Sequence, residues 1–142
     1  MHMSDHRPPL LMDTCALSKD FLKWLRTYHQ TKTISSVTYM EYCVYMVGKS
    51  NKSFDEVLGV LKYAGISIEP FGKSQAEYAT EFMTARTMER CRSCDKLDWN
   101  DCMVSAHAPV APTVLVTENT DDFPYLDGRV ITPRDAMKKY RY

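Results

Sequence analysis

The sequence predicts an α/β fold, in which helices cover both faces of a central, mostly parallel sheet of about five strands. Short apolar segments typical of buried strands alternate with longer segments of helical periodicity, and this alternation favours parallel strands between two helical layers. The 142 residues suit one domain with one core. We therefore expect a flexible tail over residues 1–8 and a single domain over residues 9–142.

The predicted strands are short and mostly apolar. The first, Leu10–Met12, is an apolar run that ends at an aspartate, and Thr113–Thr117 is rich in β-branched residues. The remaining strands are predicted over Thr33–Ser35, Ile66–Glu69 and Arg129–Thr132. Because ligands of parallel sheets bind outside the carboxyl ends of the strands, the polar residues that follow these strands are candidates for a site.

Helices are expected between the strands, and their limits follow from local signals. They are predicted over residues 18–28, 36–47, 53–65, 73–91 and 98–108, with a short helical turn over 121–126. Serines stand at the start of the first three of these helices, where a hydroxyl can cap the free backbone N–H groups. Gly48 and Gly65 end the second and third helices, and Pro109 ends the fifth.

Apolar spacing predicts which helix faces are buried. The stripe expected to be buried in the second helix consists of Val37, Met40, Val44 and Val47. Glu41 lies at the border of this stripe. In the fifth helix, apolar residues that include Trp99 cover most of the circumference, which predicts burial nearly all round. Its two carboxylates must then face a cleft, a metal ion or a partner. A buried carboxylate without one of these would be protonated or would not remain buried.

Composition and charge exclude several classes of function. The chain has 18 basic and 18 acidic side chains and a pI near 6.9, so its surface as a whole does not attract nucleic acid. The sequence contains no apolar run long enough to cross a bilayer and does not open with a signal-peptide pattern. Five cysteines, an odd number in a chain with a substantial core, favour reduced thiols and a cytoplasmic protein.

Acidic residues from separate parts of the chain are expected to meet at the strand ends. They are Asp13, Glu41, Asp98, Asp101 and Asp122. Two carboxylates about 4 Å apart repel by roughly 4 kcal/mol at an effective dielectric constant near 20. A bound divalent cation with hydrolytic chemistry is the natural explanation for such a gathering. Each residue also has an ordinary interpretation, as a strand end, a helix cap or a member of an ion pair.

Two further groups of residues have both a functional and a structural interpretation. The basic side chains that could hold phosphates are Arg86, Arg90, Arg92 and Lys96. A solvated helix face is an equal alternative for them. Cys91 and Cys94, with Cys102 and His107 beyond them, suggest a zinc site, but structural zinc sites prefer a second closely spaced ligand pair and Cys102 lies on the helix face assigned to the acids. We expect structural thiols and a packed or surface histidine.

The order and spacing of four motifs resemble those of the PIN-domain nucleases, especially the small prokaryotic toxins of the VapC type. The first motif is Leu11–Thr14, an apolar strand followed by Asp and Thr, and the second is Glu41, early in a helix after strand two. The third is Asp101–Ala108, and the fourth is Thr117–Phe123 after an apolar strand. The resemblance extends from about residue 10 to residue 133.

The resemblance implies a Mg²⁺- or Mn²⁺-dependent endoribonuclease, in which metal-activated water attacks an RNA phosphodiester bond. The catalytic residues that it implies are Asp13, Glu41, Asp101 and Asp122. The implied metal ligands are the same four residues and Asp98. The residues expected to hydrogen-bond around these ligands are Thr14, Thr117 and Asn119. The family likeness also implies a homodimer and a small antitoxin protein that inserts into the acidic groove.

One departure from the family pattern leaves a second hypothesis open. The fourth motif often carries Asp at the position where this chain has the uncharged Asn119. A PIN fold that binds RNA or protein without catalysis is therefore the alternative. An aspartyl phosphatase is disfavoured, because Cys15 stands where that chemistry needs a second Asp. The chain also has no Gly-rich phosphate loop, which argues against nucleotide kinases and dinucleotide oxidoreductases.

Overall fold

The computed structural model describes residues 6–90, 98–110 and 112–141, without the side chains of residues 85–90. Its strands are β1 (Leu10–Met12), β2 (Lys32–Ser35), β3 (Ser67–Glu69), β4 (Val114–Val116) and β5 (Val130–Ile131). They form one five-stranded sheet in the order β3-β2-β1-β4-β5, and every neighbouring pair is parallel. The predicted α/β fold with a central sheet of five strands is confirmed.

The helices of the described residues are α1 (Lys19–Leu25), α2 (Ser36–Gly48), α3 (Phe54–Ala64), α4 (Lys73–Arg90), α5 (Trp99–Ser105) and α6 (Pro133–Lys139). Short 3-10 turns occupy Thr14–Ala16, Thr120–Asp122 and Pro124–Leu126. Gly65 ends α3 with a φ of 78°, a conformation that glycine adopts without strain. The predicted end of α4 at Cys91 lies outside the described residues. No helix among those described is both long and apolar enough to span a membrane.

Helix α6 was not predicted from the sequence. Its start has a clear local cause, because the Thr132 hydroxyl accepts a hydrogen bond from the backbone N–H of Asp135 at 3.1 Å. Pro133 occupies the first helical position, where its missing N–H costs nothing. The helix buries Ala136, and Tyr140 after its end packs into the same core.

The alternation of side chains along the strands builds a core on each face of the sheet. Leu10 and Met12 of β1 point to the face where α1, α3 and α6 pack. Leu11 points to the opposite face, against Val104 of α5 and Phe123. Helix α4 then packs on the outer side of α5. Both faces of the sheet are therefore covered, as the sequence predicts, and the carboxyl edge of the strands is left for a site.

The prediction of the buried face of α2 was wrong for two of its four residues, while Val47 packs against the core as predicted. Met40 and Val44, expected in the buried stripe, are 60% and 64% exposed. The residues that α2 does bury are Thr38, Tyr42 and Cys43. Apolar residues occur on both faces of this helix, so their spacing does not identify the face that meets the sheet. Met40, Val44 and Phe54 of α3 instead line an exposed apolar groove of about 430 Å³.

The burial of α5 is also less complete than predicted. Trp99 is 65% exposed. It is the first residue of the helix, whereas the residues that contact the cores, Cys102 and Val104, lie further along. The first turn of α5 is therefore open on one side, and this turn carries Asp98 and Asp101.

Arg129 fixes the connection between α5 and β4. Its Nη1 donates to the carbonyl oxygen of Ala108 at 3.0 Å and to that of Thr113 at 2.7 Å. Ala108 is the third residue after α5, and Thr113 directly precedes β4. The guanidinium thus holds the end of the acidic helix to the start of a central strand.

Candidate active site

The candidate site lies at the carboxyl edge of the sheet, where the strand order changes direction. The chain runs from β1 outward to β2 and β3 on one side, and later to β4 and β5 on the other. The crevice at such a switch point is the usual ligand site of open parallel sheets. Asp13 directly follows β1 and Thr117 directly follows β4, so both lie at this crevice.

The carboxylate of Asp13 is held through both oxygens. Oδ1 accepts a hydrogen bond from the backbone N–H of Thr14 at 2.9 Å, and Oδ2 accepts one from the hydroxyl of Thr117 at 2.9 Å. Asp13 is 8% exposed and Thr117 is fully buried. Asp13 therefore caps the first 3-10 turn, as its ordinary interpretation expects. Its position between β1 and β4 also directs it into the crevice.

Glu41 is joined to the same crevice by neutral donors. The hydroxyl of Thr14 donates to Glu41 Oε1 at 2.9 Å. Nδ2 of Asn100 lies 3.3 Å from Oε1 and 3.4 Å from Oε2 and donates to this carboxylate. Glu41 thus connects α2 with β1 on one side and with α5 on the other. Asn100 was missed by the sequence analysis, because nothing local distinguishes it from a solvated helix residue.

Asp98 and Asp101 form the acidic first turn of α5. Oδ1 of Asp98 accepts a hydrogen bond from the backbone N–H of Asp101 at 3.0 Å, so Asp98 is the N-cap of the helix. Burial raises the pKa of the Asp101 carboxyl to about 8, and its hydrogen bond with Asp98 adds to this rise. The negative charges of Asp98, Asp122 and Asp13 raise this pKa further. Four of the predicted aspartates therefore share one electrostatic environment.

Asp122 and Asn119 belong to the segment after β4. Asp122 is exposed in the turn Thr120–Asp122, and its backbone N–H donates to the carbonyl of Asn119 at 3.0 Å. The backbone N–H of Asn119 donates to the hydroxyl of Thr117 at 3.1 Å. Through this bond the turn is tied to the residue that fixes Asp13. The side chain of Asn119 makes no capping hydrogen bond to the turn.

Cys15 is a second residue of the crevice that the sequence analysis did not assign to it. Its Sγ lies 3.3 Å from the hydroxyl oxygen of Thr117 and 3.7 Å from Oδ2 of Asp13. The backbone N–H of Glu118 donates to the sulfur at 3.2 Å. Burial, with a smaller contribution from the charge of Asp13, raises the pKa of this thiol. Cys15 is therefore a neutral neighbour of the carboxylates.

Tyr125 and Ser105 support the acidic turn from the inside of the protein. The hydroxyl of Ser105 donates to the backbone carbonyl of Asp101 at 2.7 Å and lies 3.3 Å from the Tyr125 hydroxyl. The Tyr125 ring stacks on Phe82 of α4 at a centroid distance of 4.7 Å. Burial raises the pKa of Tyr125, so its hydroxyl stays protonated. The backbone of Asp101 is thus anchored to the core.

The carboxylates of Asp13, Glu41, Asp98, Asp101 and Asp122 are termed the acidic centre below. Within the described parts of the chain, no three acidic, histidine or cysteine side chains lie close enough to enclose a metal ion. The donor set nevertheless suits Mg²⁺ or Mn²⁺, because all its atoms are carboxylate oxygens. Among the described residues, no lysine or arginine forms a salt bridge with the carboxylates of Asp13, Glu41, Asp98 and Asp101. Described basic side chains therefore do not neutralise them.

The other candidate groups lie partly outside the described residues. Arg86 and Arg90 belong to α4, but their side chains are not described, and Arg92 and Lys96 fall between residues 90 and 98. Cys91 and Cys94 fall in the same segment. The side chain of His107 is fully buried, with Nδ1 3.3 Å from Glu69 Oε2. Of the two expected alternatives, a packed or a surface histidine, His107 is the packed one.

The chain belongs to the PIN-domain family, because the family model of the PIN domain matches residues 11–128. Members of this family are generally nucleases. The match covers all four motifs on which the resemblance was based, and the five carboxylates of the acidic centre lie within it. No curated protein sequence matches the chain.

Solved structures with the same fold include toxin–antitoxin proteins. One is a toxin–antitoxin complex from Klebsiella pneumoniae, with 22% identity and a TM-score of 0.63, covering 87% of this chain and 97% of that one. Another is DNA-bound VapBC from Salmonella typhimurium, with 19% identity and a TM-score of 0.58, covering 88% and 97%. VapBC-1 from nontypeable Haemophilus influenzae has 13% identity and a TM-score of 0.60, covering 87% and 96%. These likenesses establish the fold.

Proposed function

We propose that this protein is a metal-dependent endoribonuclease that hydrolyses RNA phosphodiester bonds. The observation that carries the proposal is the meeting, at the carboxyl edge of a PIN-family sheet, of Asp13 after β1, Glu41 of α2 and the acidic first turn of α5. The raised pKa of Asp101, to which the charges of Asp98, Asp122 and Asp13 contribute, agrees with this arrangement. Such an arrangement disfavours the charged carboxylates in the absence of a counter-charge. A divalent cation bound among them reverses this preference, since a bound ion is the largest local charge in its site.

The side chains of the acidic centre have distinct roles in this proposal. A Mg²⁺ or Mn²⁺ ion held there supplies the Lewis acidity that activates water and stabilises charge on the phosphate. Asp13 and Asp101 are its main ligands, and Asp98 and Asp122 complete the acidic set. Glu41, fixed between Thr14 and Asn100, is a ligand or orients the attacking water.

Neutral groups hold the proposed ligands in place. Thr117 donates to Asp13, and Thr14 donates to Glu41. Asn119 is tied to Thr117 through its backbone N–H, and its uncharged side chain adds no negative charge to the centre. Outer groups of this kind set the orientation of metal ligands, and their loss weakens metal affinity or activity about 10- to 100-fold.

The substrate contacts and the domain limits are also proposals. Phosphates of the RNA would be held by Arg86, Arg90, Arg92 and Lys96. The packing of α4 on α5, and the position of Arg92 and Lys96 shortly before Asp98 in the sequence, support this assignment. A single PIN domain over residues 9–142, in the cytoplasm, remains our proposal for the organisation and location of the chain.

We further propose that the chain is the toxin of a type II toxin–antitoxin pair, forms a homodimer and is inhibited by a small antitoxin protein. The support for a toxin is the shared fold with the toxin–antitoxin complex from Klebsiella pneumoniae and with VapBC proteins. The exposed apolar groove of Met40, Val44 and Phe54 supports a protein partner, since such surfaces commonly mark interaction sites.

The test of the catalytic proposal is cleavage of total cellular RNA with Mg²⁺ or Mn²⁺ by the native protein and by Asp101→Asn. Asp121→Asn is the matched control, because Asp121 is an exposed aspartate of the neighbouring turn that lies outside the acidic centre. We expect Asp101→Asn to lower the cleavage rate at least about 100-fold, the upper end of the loss seen for outer groups of metal sites. Asp121→Asn should cleave like the native protein.

Two results would contradict this function. Equal cleavage by the native protein and Asp101→Asn would show that the acidic centre is not the catalytic site. Binding of Mn²⁺ and RNA by the native protein without any cleavage would favour the alternative, a PIN fold that binds its partners without catalysis.

A further inference from the structure

A cleft of about 470 Å³ is lined by residues of α1, α2 and α3 and of the segments that precede α1 and α3. Its lining includes Lys19, Tyr42, Tyr45 and Lys52. A smaller pocket of about 270 Å³ shares Tyr42 and Tyr45 with the cleft and extends to Thr14 and Cys15. The two spaces are therefore neighbours with a common wall, and the smaller one reaches Thr14, which hydrogen-bonds to Asp13 and Glu41. Together they are termed the lysine–tyrosine cleft.

Thr14 is the point where the lysine–tyrosine cleft meets the acidic centre. Its hydroxyl donates to Glu41 at 2.9 Å, and its backbone N–H donates to Asp13 at 2.9 Å, while the residue also lines the smaller pocket. A chain-like substrate whose reacting phosphate lies at Asp13 could therefore continue past Thr14 into the cleft.

The charged groups in the wall of the cleft are opposite in sign to those of the acidic centre, while Asp20 and Glu56 line the adjoining pockets that share its lysines. Its charged lining residues, among those described, are Lys19 and Lys52, and no carboxylate lines it. Lys52 approaches Glu56 only at 4.0 Å, in a pair whose side chains are about half exposed. Exposed pairs of this kind contribute little, so Lys52 can contact another anion at small cost.

The cleft also offers aromatic surface. Tyr45 is 55% exposed, whereas Tyr42 is 6% exposed and forms part of the wall. Single-stranded nucleic acids are held by a basic groove that follows the backbone and by aromatic rings on which bases stack. The combination of two lysines, an open tyrosine ring and continuity with the acidic centre matches this description.

We propose that the lysine–tyrosine cleft binds the nucleotides on one side of the cleaved bond of a single-stranded RNA. Lys19 and Lys52 contact its phosphates, and a base stacks on Tyr45. This inference rests on the proposed endoribonuclease function and adds a substrate path that does not involve Arg86, Arg90, Arg92 and Lys96. It assigns the selection of unpaired RNA to a surface formed by α1, α2 and the start of α3.

The test measures binding of a fluorescently labelled single-stranded RNA by anisotropy, in an Asp101→Asn background that does not cleave it. The cleft variants are Lys19→Gln with Lys52→Gln, Tyr45→Ala and Tyr45→Phe. The matched controls are Lys62→Gln on the exposed side of α3 and Tyr78→Ala on α4, neither of which lines the cleft. Thermal unfolding of each variant confirms that it is folded.

We expect the double lysine variant to bind about tenfold more weakly and to lower the slope of log affinity against log salt by about 1.4, or about 0.7 for each lost phosphate contact. Tyr45→Ala should weaken binding about fivefold or more, because a stacked base is lost, and Tyr45→Phe should bind like the background protein. Lys62→Gln and Tyr78→Ala should leave both the affinity and the salt slope unchanged.

Equal affinities for the cleft variants and the controls would overturn the proposal and favour a protein segment as the occupant of the cleft. Cleavage by the native chain separates this failure from a failure of the enzyme function. If the native chain cleaves RNA while the cleft variants bind normally, only the cleft assignment is wrong. If the native chain does not cleave RNA, the catalytic proposal fails first.

Discussion

The acidic centre and the lysine–tyrosine cleft lie on either side of Thr14 but are stabilised in different ways. In the acidic centre, neutral donors from Thr14, Thr117 and Asn100 hold the carboxylates. In the cleft, the charged groups are lysines without a carboxylate in the lining. In the part of the chain that the structure describes, no lysine or arginine forms a salt bridge with Asp13, Glu41, Asp98 or Asp101. In the proposed function this difference separates two tasks, with metal binding at the acidic centre and RNA binding in the cleft.

The largest expected effect is on the stabilisation of the protein by a metal ion, and it distinguishes the acidic centre from the lysine–tyrosine cleft. At a Mn²⁺ concentration about 100 times Kd, the native protein should gain about 2.7 kcal/mol of stability. Asp13→Asn should lose most of this gain, because an uncharged amide replaces a main ligand. The measurement is thermal unfolding with and without Mn²⁺. The double variant Lys19→Gln with Lys52→Gln is the control and should keep the full shift. An equal stability shift in Asp13→Asn would show that the acidic centre does not bind the metal ion.

A second experiment sharpens the comparison by testing the neutral donors. Asn100→Ala should lower kcat for RNA about 10- to 100-fold, because Glu41 loses the donor that fixes it. The KM should change little, since the lysine–tyrosine cleft is untouched. In a Glu41→Gln background the same substitution should cause little further loss. Equal losses in both backgrounds would mean that Asn100 acts on the fold and not through Glu41.

The smallest expected effect is the pH dependence of stability without divalent cations. The pKa of Asp101 is raised from 3.8 to about 8 in the folded protein, so its protonated form stabilises the fold. This contribution is complete below about pH 4 and is lost as the pH rises through 8. We expect a loss of about 1–2 kcal/mol between pH 5 and 9, a value reduced for solvent screening at this half-buried group.

Chemical denaturation at several pH values measures this loss. Asp101→Asn should show a flatter profile over the same range, while the double lysine variant should follow the native one. Stabilisation by Mn²⁺ should increase with pH in this window, because the ion binds the deprotonated carboxyl. Parallel profiles for the native protein and Asp101→Asn would contradict the assignment of the raised pKa.

The sheet was predictable from sequence because its signals are local. The apolar run Leu10–Met12 was predicted with its observed limits, and the parallel arrangement followed from the alternation of strands and helices. The start of α6 also has a local signal, Thr132 followed by Pro133 and Asp135, but its weakly apolar sequence gives no clear periodicity. The buried face of α2 could not be predicted, since packing against the sheet decides between its two apolar faces.

The acidic residues of the candidate site could be selected from the sequence because their types and spacing are distinctive. Their hydrogen-bond partners could not. Asn100 is 59 positions from Glu41, and Thr117 is 104 positions from Asp13, so only the folded chain reveals these contacts. In the sequence, Cys15 served only to argue against an aspartyl phosphatase. Its contact with Thr117 depends on the pairing of β1 with β4, which only the folded chain shows.

The guanidinium of Arg129 has a practical consequence for engineering. Since it joins the carbonyls of Ala108 and Thr113, it holds these two points of the connection together from outside the peptide that links them. An epitope or a fluorophore attachment sequence grafted after Pro109 should therefore leave the geometry of Asp101 intact. A tag inserted in this connection could be used to immobilise or image the protein without altering the acidic centre.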